Sequence, residues 1–278
     1  MGAQVVVAGR SGGQKMIDAI SKAAKPGAPP VVSLELDLAS LASVRACAAA
    51  FLARFERLDC LMNNAGVMMP PLSRTADGFE RQMGVNHYGH FLLTLLLKDV
   101  LERSAPSRVV VLSSCAACKC TMMCKDADPT IDYDDLAWEK RKYAPDLAYG
   151  QSKLANALHA REIPKRFAGV TAYSLHPGWV ESRLMRHMGP GCVVACLTCC
   201  FKNVAGQMMG VDDGSQTSLF CALSDAEQLE SGAFYTQVGI YQDPVAAKGG
   251  WPVPCPNPNC TADEAAKLWD HSVKAVGL

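Results

Sequence analysis

The sequence lacks an excess of charge of either sign, because 27 lysines and arginines balance 27 aspartates and glutamates among 278 residues. Proteins that bind nucleic acid need a concentrated basic surface, so we expect no nucleic-acid partner. Disordered chains combine high net charge with low hydrophobicity, whereas 49% of these residues are hydrophobic. The composition and length predict one globular domain that spans residues 1–278.

The sequence also lacks an apolar run long enough to cross a membrane. Its most apolar stretch, residues 191–201, is about half the length that a membrane-spanning helix needs. We therefore expect no transmembrane span, although contact of this stretch with a membrane surface or over a pocket stays open. The opening residues MGAQVVVAGR contain no basic region followed by a long apolar region, so no secretory signal is predicted and the expected location is cytoplasmic.

The thirteen cysteines lack the spacing of a structural metal site. Their odd number and the missing secretory signal indicate free thiols in a reducing compartment. Two clusters occur in the sequence: Cys115, Cys118, Cys120 and Cys124, and then Cys192, Cys196, Cys199 and Cys200. Neither cluster has two well-separated CxxC pairs or a partnering pair of histidines, which structural zinc requires. We expect small apolar side chains here and no bound metal.

Short β-type runs alternate with helical patterns along the chain. The predicted strands are residues 4–8, 31–36, 58–62, 108–112, 170–175 and 232–236. The predicted helices are residues 43–57, 75–101 and 147–163, the third interrupted by Pro164, and a last helix that starts at a capping box of Thr261 and Glu264. This alternation predicts an α/β fold, a Rossmann-like doubly wound parallel sheet with helices on both faces.

Small or polar residues follow five of the predicted strands. They are Gly9-Arg10, Asp37, residues 63–66, Ser113-Ser114 and Pro177-Gly178. Ligands of doubly wound sheets bind at the carboxyl ends of the strands. We therefore predict that these five clusters line one crevice.

The chemically most informative pattern is Tyr149 followed four positions later by Lys153, a spacing that places both on one face of a helix. A phenol ionises near pH 10, and a nearby cation favours the phenolate. Such a tyrosine would serve as a general acid or base. The alternative interpretation is a surface Tyr/Lys pair without chemistry.

The order of several motifs extends this pattern. Asn63-Asn64-Ala65-Gly66, Asn86 and Ser114 precede Tyr149, and the stretches DGFERQMGVNHYGHFLLT, AYGQSKLANALHA and YSLHPGWVESRL surround the key positions. Together they resemble the short-chain dehydrogenase/reductase family, most closely its retinol-dehydrogenase-like branch. The resemblance covers nearly the whole chain.

The resemblance implies four catalytic roles. Tyr149 would exchange a proton with the substrate oxygen, and Ser114 would hold that oxygen. Lys153 would lower the pKa of Tyr149 and contact the nicotinamide ribose. Asn86 would anchor a water that relays protons to Lys153.

The resemblance also implies contacts to a nicotinamide dinucleotide. Arg10 would accommodate a 2′-phosphate, which favours NADP(H) over NAD(H). The other implied cofactor contacts, besides Tyr149 and Lys153, are Asp37, Leu38, Asn63, Ala65, Gly66, Pro177, Gly178, Val180 and Ser182.

One family feature is missing, the TGxxxGxG loop after the first strand. Gly9, Gly12 and Gly13 follow the wrong strand at the wrong spacing. The first βα unit is therefore expected to be absent, and its strand would lie in the middle of the sheet. We favour an incomplete sequence of an active enzyme, in which case an anchor or targeting segment stays open. The alternatives are a pseudoenzyme that serves as a binding or interaction module, or a gap filled by another segment or subunit.

These expectations combine into one predicted function. The chain would be an NADP(H)-dependent oxidoreductase that interconverts an alcohol and a carbonyl on an apolar, retinoid- or lipid-like substrate. Apolarity is indicated by residues 185–209, where the family places a segment that covers the substrate. A homo-oligomer stays open.

Overall fold

A computed structural model describes residues 2–10, 14–118, 126–182, 184, 186, 209–236 and 257–278. Most of the predicted substrate-covering segment, all of residues 185–209 except Arg186 and Met209, lies outside the described residues. The same holds for the proline-rich residues 252–256 and for the cysteines of the second cluster.

The described chain alternates strands and helices. The strands are β1 (Val6–Gly9), β2 (Val32–Glu35), β3 (Cys60–Asn63), β4 (Ser107–Leu112), β5 (Val170–His176) and β6 (Phe234–Thr236). The helices are α1 (Gln14–Ala23), α2 (Leu41–Leu52), α3 (Arg81–Met83), α4 (Gly89–Leu96), α5 (Lys98–Arg103), α6 (Pro145–Arg166), α7 (Val211–Leu223) and α8 (Ala262–Ala275). A π-helical turn, Gly84–Tyr88, joins α3 to α4.

Every strand pair is parallel, as the alternation predicted. Strands β3, β4, β5 and β6 form one sheet in that order, and β1 pairs with β2 in a second sheet. Among the described residues, no strand hydrogen-bonds to the outer edge of β1 or of β3. The described strands therefore form two separate hydrogen-bonded sheets, and the expected absence of a central strand stays a prediction.

Helices cover both faces of the larger sheet. Val109 and Val111 of β4 join a core cluster that includes Leu154 of α6. Val110, which points to the opposite face, packs instead in a cluster with Cys221 of α7. Alternate residues of a strand face opposite sides, so this division confirms the predicted doubly wound arrangement. The core cluster also takes in Leu34 of β2, so apolar packing joins the two sheets.

The structure corrects three predicted helix boundaries. α6 continues to Arg166 and is not interrupted by Pro164, because the proline lies in its last turn, where Lys165 and Arg166 both bond the Glu162 carboxylate. The helix predicted from residue 75 begins at Arg81, after a turn that Glu80 caps through its side chain. α2 ends at Leu52, five residues before the predicted end at 57.

Other predictions concern the cap of α8, cysteines and membrane helices. The Thr261 hydroxyl accepts from the Glu264 amide and caps α8, as the capping box predicted. No disulfide joins any two of the six described cysteines. Within the described ranges, no helix is both long and apolar enough to cross a bilayer, and no group of three metal-ligating side chains is found.

The contact between α4 and the loop after β2 yields a stability prediction. A methyl group added at Gly89 would lie 2.6 Å from the Leu38 carbonyl oxygen, a backbone atom. We expect Gly89→Ala to lower the free energy of unfolding by about 1–3 kcal/mol, because relief of the overlap requires backbone movement. Urea denaturation measures the change.

Gly9→Ala is the matched control, because a methyl group there meets nothing within 4 Å. An unchanged denaturation midpoint for Gly89→Ala would contradict the close approach of α4 to Leu38.

Candidate active site

Helix α6 buries Tyr149 and Lys153 against the carboxyl end of β4. Only 3% of Tyr149 and 4% of Lys153 are exposed. Lys153 Nζ donates to the Leu112 carbonyl oxygen at 3.0 Å and lies 5.6 Å from the centroid of the Tyr149 ring. The burial excludes the alternative of a surface Tyr/Lys pair.

The two serines after β4 make different contacts. The Ser114 oxygen accepts from the Ala116 amide at 3.2 Å, and the Ser114 side chain lies near enough to the Tyr149 phenol to lower the pKa of that group. The Ser113 hydroxyl donates to the Lys153 carbonyl oxygen at 2.7 Å. Ser114 is thus placed to meet a substrate oxygen beside Tyr149, while Ser113 fastens α6 to the strand.

Asn86 lies in the π-helical turn and joins two parts of the site. Its Oδ1 accepts from the Val67 amide at 2.8 Å, and its Nδ2 donates to the Val67 carbonyl at 3.0 Å and to Ser152 Oγ at 2.9 Å. Single π-turns inside helices are frequent at functional sites. Asn86 therefore holds the loop after β3 against α6, and its role in anchoring a water stays a prediction.

Gly66 is the point at which this loop comes closest to the catalytic side chains. A methyl group at Gly66 would lie 3.3 Å from Asn86 Oδ1 and 3.6 Å from Lys153 Nζ. The absence of a side chain lets the backbone pass beside both groups. Such a close approach suits a bound group that lies against the loop and reaches Lys153.

Burial dominates the electrostatics of the site. It lowers the pKa of Lys153 to about 8, because the ammonium loses hydration. Burial raises the pKa of Tyr149, and the nearby Ser114 side chain opposes this rise only in part. The predicted lowering of the tyrosine pKa by Lys153 stays a prediction. Lys153 Nζ donates to the Leu112 carbonyl oxygen, and no hydrogen bond from it to the phenol oxygen is found among the described residues.

The remaining predicted residues divide by location. Asn63 is buried at the end of β3, where its Nδ2 donates to Thr94 Oγ1 at 2.9 Å and its Oδ1 has no hydrogen-bond partner among the described residues. Asp37 Oδ1 accepts from the Ala39 amide at 3.0 Å and shapes the loop after β2. Leu38 is buried in the core, and Ala65 is exposed in the loop before Gly66.

Arg10 is exposed at the end of β1, with no hydrogen bond or ion pair among the described residues. The residues Pro177, Gly178, Val180 and Ser182 follow β5, and Gly178 has a φ of +90°, which favours glycine. Val180 packs against Gly214 of α7. The structure thus brings together Gly66, Asn86, Ser114, Tyr149 and Lys153, while Arg10, Asp37 and Leu38 follow the strands of the smaller sheet.

Ser152 and Asn156 also belong to the site, although they were not among the predicted site residues. Ser152 Oγ donates to the Tyr149 carbonyl at 2.8 Å and accepts from Asn86. Asn156 Nδ2 donates to the Leu112 carbonyl at 2.8 Å, beside the bond from Lys153. Their helical spacing from Tyr149 and Lys153, three positions in each case, is the signal that would have found them.

The sequence of this chain is similar to those of known dehydrogenases and reductases. A family profile described as "Enoyl-(Acyl carrier protein) reductase" matches residues 1–125. Retinol dehydrogenase 12 of Homo sapiens is 42% identical over 250 residues, which are 89% of this chain and 70% of that protein. Retinol dehydrogenase 13 of Homo sapiens is 40% identical over 246 residues, 87% of this chain and 68% of that protein.

Solved structures agree in fold. A crystal structure of an uncharacterised protein from Mycobacterium paratuberculosis aligns with a TM-score of 0.66 and 30% identity, over 99% of this chain and 84% of that one. An NADPH-bound carbonyl reductase from chicken fatty liver aligns with a TM-score of 0.57 and 21% identity, over 86% of this chain and 88% of that one. The second likeness shows the fold alone.

The buried lysine makes stability depend on pH. Between about pH 8 and pH 10.5 the folded chain holds Lys153 neutral while the unfolded chain keeps it charged, so wild-type stability rises with pH in this window. We expect Lys153→Met to be more stable than wild type at pH 7 by up to about 3 kcal/mol. The Leu112 carbonyl keeps its bond from Asn156.

Denaturation of both proteins from pH 7 to pH 10.5 measures the difference, which should shrink as pH rises. Lys25→Met, at an exposed lysine, is the control. A difference that stays constant over this range would contradict the buried, weakly basic lysine.

Proposed function

Because the chain belongs to the short-chain dehydrogenase/reductase family, we propose that it is an NADP(H)-dependent oxidoreductase that interconverts an alcohol and a carbonyl. The retinol dehydrogenases that match it support the coarser statement, an oxidoreductase acting on alcohols or carbonyls. The observation that carries the finer proposal is the buried grouping of Ser114, Tyr149 and Lys153, in which the Ser114 side chain lies near the phenol and Lys153 Nζ lies 5.6 Å from the centroid of the ring.

The proposed chemistry divides between cofactor and chain. A nicotinamide cofactor supplies the hydride when it is bound. Reduction of a carbonyl builds negative charge on its oxygen, and positioned donors stabilise that charge. The Tyr149 hydroxyl gives its proton to this oxygen, and the Ser114 hydroxyl holds the oxygen within reach. In the opposite direction Tyr149 accepts the proton of the alcohol.

Lys153 supports the proton transfer from beside the ring. Its ammonium, 5.6 Å from the centroid of the Tyr149 ring, stabilises the phenolate that forms when the proton leaves. Asn86 and Ser152 keep α6 in place against the loop after β3. The proton path therefore starts from side chains that the protein holds in fixed positions.

The residues present fit the nicotinamide end of the cofactor. Gly66 leaves space beside Lys153 Nζ, and Asn63 Oδ1 is a buried acceptor without a partner in the described part of the chain. Pro177, Gly178, Val180 and Ser182 would face the carboxamide. Arg10, at the carboxyl end of β1, would pair with the 2′-phosphate of NADP(H), with Asp37, Leu38 and Ala65 on the adenosine side.

We further propose an apolar substrate and a single domain over residues 1–278. The names of the retinol dehydrogenases support the first proposal, together with the apolar composition of residues 185–209. The shared apolar core of the two sheets supports the second.

The proton donor is tested by Tyr149→Phe. We expect at least about a 100-fold lower kcat with retinal and NADPH, because the general acid is lost, while NADPH binding persists. Tyr173→Phe is the matched control, because the Tyr173 hydroxyl is buried on β5 and has no hydrogen-bond partner within the described ranges. Steady-state rates and a fluorescence titration with NADPH measure the two effects.

The same titration separates the enzyme from the alternative, a binding or interaction module. Full turnover by Tyr149→Phe would refute the assignment of the acid. Failure of the wild-type chain to bind NADPH would favour the non-enzymatic module.

The cofactor preference is tested by Arg10→Asp. The new carboxylate should repel a 2′-phosphate and accept from a free 2′-hydroxyl, so we expect the ratio of kcat/KM for NADPH to that for NADH to fall at least tenfold. Arg54→Asp, at an exposed arginine of the loop after α2, makes the same charge change elsewhere. An equal ratio in wild type and Arg10→Asp would contradict the assignment of Arg10.

A further inference from the structure

Asn257 makes a buried contact that joins the C-terminal part of the chain to the segment after β4. Only 3% of the residue is exposed. Its Nδ2 donates to the Ala117 carbonyl oxygen and to the Pro129 carbonyl oxygen, each at 2.8 Å. Its Oδ1 accepts from the Asn259 amide at 2.8 Å. Both ends of the carboxamide are therefore used, and the side chain has one orientation that satisfies them.

The Ala117 carbonyl belongs to the short turn that carries Ser114. The turn, Cys115–Ala117, is a single 3₁₀ turn in which the Ala117 amide donates to the Ser114 carbonyl at 3.0 Å. At its start, the Ser113 amide donates to the Leu175 carbonyl at 2.7 Å and extends the ladder of β4 and β5. The sheet thus holds one end of the turn and Asn257 holds the other.

We propose that Asn257 is a positioning residue, which keeps the Ser114 hydroxyl in contact with Tyr149 by holding the far end of this turn. Ser114 lies three residues from Ala117, whose carbonyl Asn257 binds. Two bonds join Ser114 to the same turn, because its carbonyl accepts from the Ala117 amide and its hydroxyl oxygen accepts from the Ala116 amide. We call the two bonds that Asn257 Nδ2 donates, to the Ala117 and Pro129 carbonyls, the clamp. The clamp rests on these contacts alone, whereas its catalytic consequence rests on the proposed function.

Loss of the carboxamide would affect the two carbonyls unequally. Pro129 keeps a second donor, because Asn259 Nδ2 lies 3.2 Å from its oxygen. No second donor to the Ala117 oxygen is found among the described residues, and Ala117 is fully buried. A buried carbonyl without a donor is costly, so the turn would shift until its carbonyl reached water. The shift would fall on the side of Ser114.

Two variants isolate the clamp. Asn257→Ala removes both donors, and Asn257→Asp keeps the shape and the acceptor for Asn259 but sets a carboxylate oxygen against two carbonyls. Asn259→Ala is the matched control, because it removes a bond to Pro129 and none to Ala117. We expect amide hydrogen exchange in a peptide that covers residues 114–118 to be at least tenfold faster in both Asn257 variants and unchanged in the control.

A double-mutant cycle then connects the clamp to Ser114. We expect Asn257→Ala to lower kcat with retinal and NADPH about tenfold, with the Kd for NADPH unchanged. The same substitution in a Ser114→Ala background should lower kcat no further, because the residue through which Asn257 acts is already gone.

Each contrary result has a distinct meaning. Unchanged exchange in both Asn257 variants would overturn the clamp. Faster exchange with wild-type kcat, or equal losses of kcat with and without Ser114, would overturn the positioning role. A wild-type chain without turnover would refute the proposed function, and hydrogen exchange would still decide the clamp. If Asn257→Ala does not fold, Asn257→Asp carries the same comparisons.

Discussion

The Leu112 carbonyl oxygen, at the end of β4, is the point on which the site depends. It accepts from Lys153 Nζ at 3.0 Å and from Asn156 Nδ2 at 2.8 Å, and the adjacent Ser113 hydroxyl bonds the Lys153 carbonyl. Three bonds thus fasten one turn of α6 to the end of one strand. Because Tyr149 lies one turn earlier on the same helix, its distance from Ser114 follows from this junction.

Burial of Lys153 and Tyr149 at this junction makes their charged forms unfavourable, and the surrounding contacts compensate for this only in part. Lys153 is buried among neutral donors and acceptors, which lowers its pKa to about 8, and burial raises the pKa of Tyr149. Both shifts express the same fact, that charge is unfavourable in this site until a ligand brings compensating groups. Proteins often give up stability at functional sites in this way.

Much of the architecture was predictable because local patterns report it. The β-branched residues of β4 and the spacing of Tyr149 and Lys153 act over a few positions, and the family resemblance selected Asn86, Ser114 and Tyr149, which the fold brings together. Helix ends were predicted less well. Pro164 does not end α6, because a proline in a last turn leaves most of the helix bonds intact and Glu162 bonds the two residues after it.

The chain sequence alone determined the fold class, the family and the residue types of the site, since each follows from periodicity or from motifs in order. Tertiary structure alone decided the rest. The contact of Asn257 with Ala117 joins positions 140 apart, and no local pattern reports such a bond. The directions in which the pKa values of Tyr149 and Lys153 shift also required the fold, because they depend on burial and on the groups that surround each side chain. Spacing along a helix predicts that two side chains are neighbours, whereas the groups that surround them depend on tertiary packing.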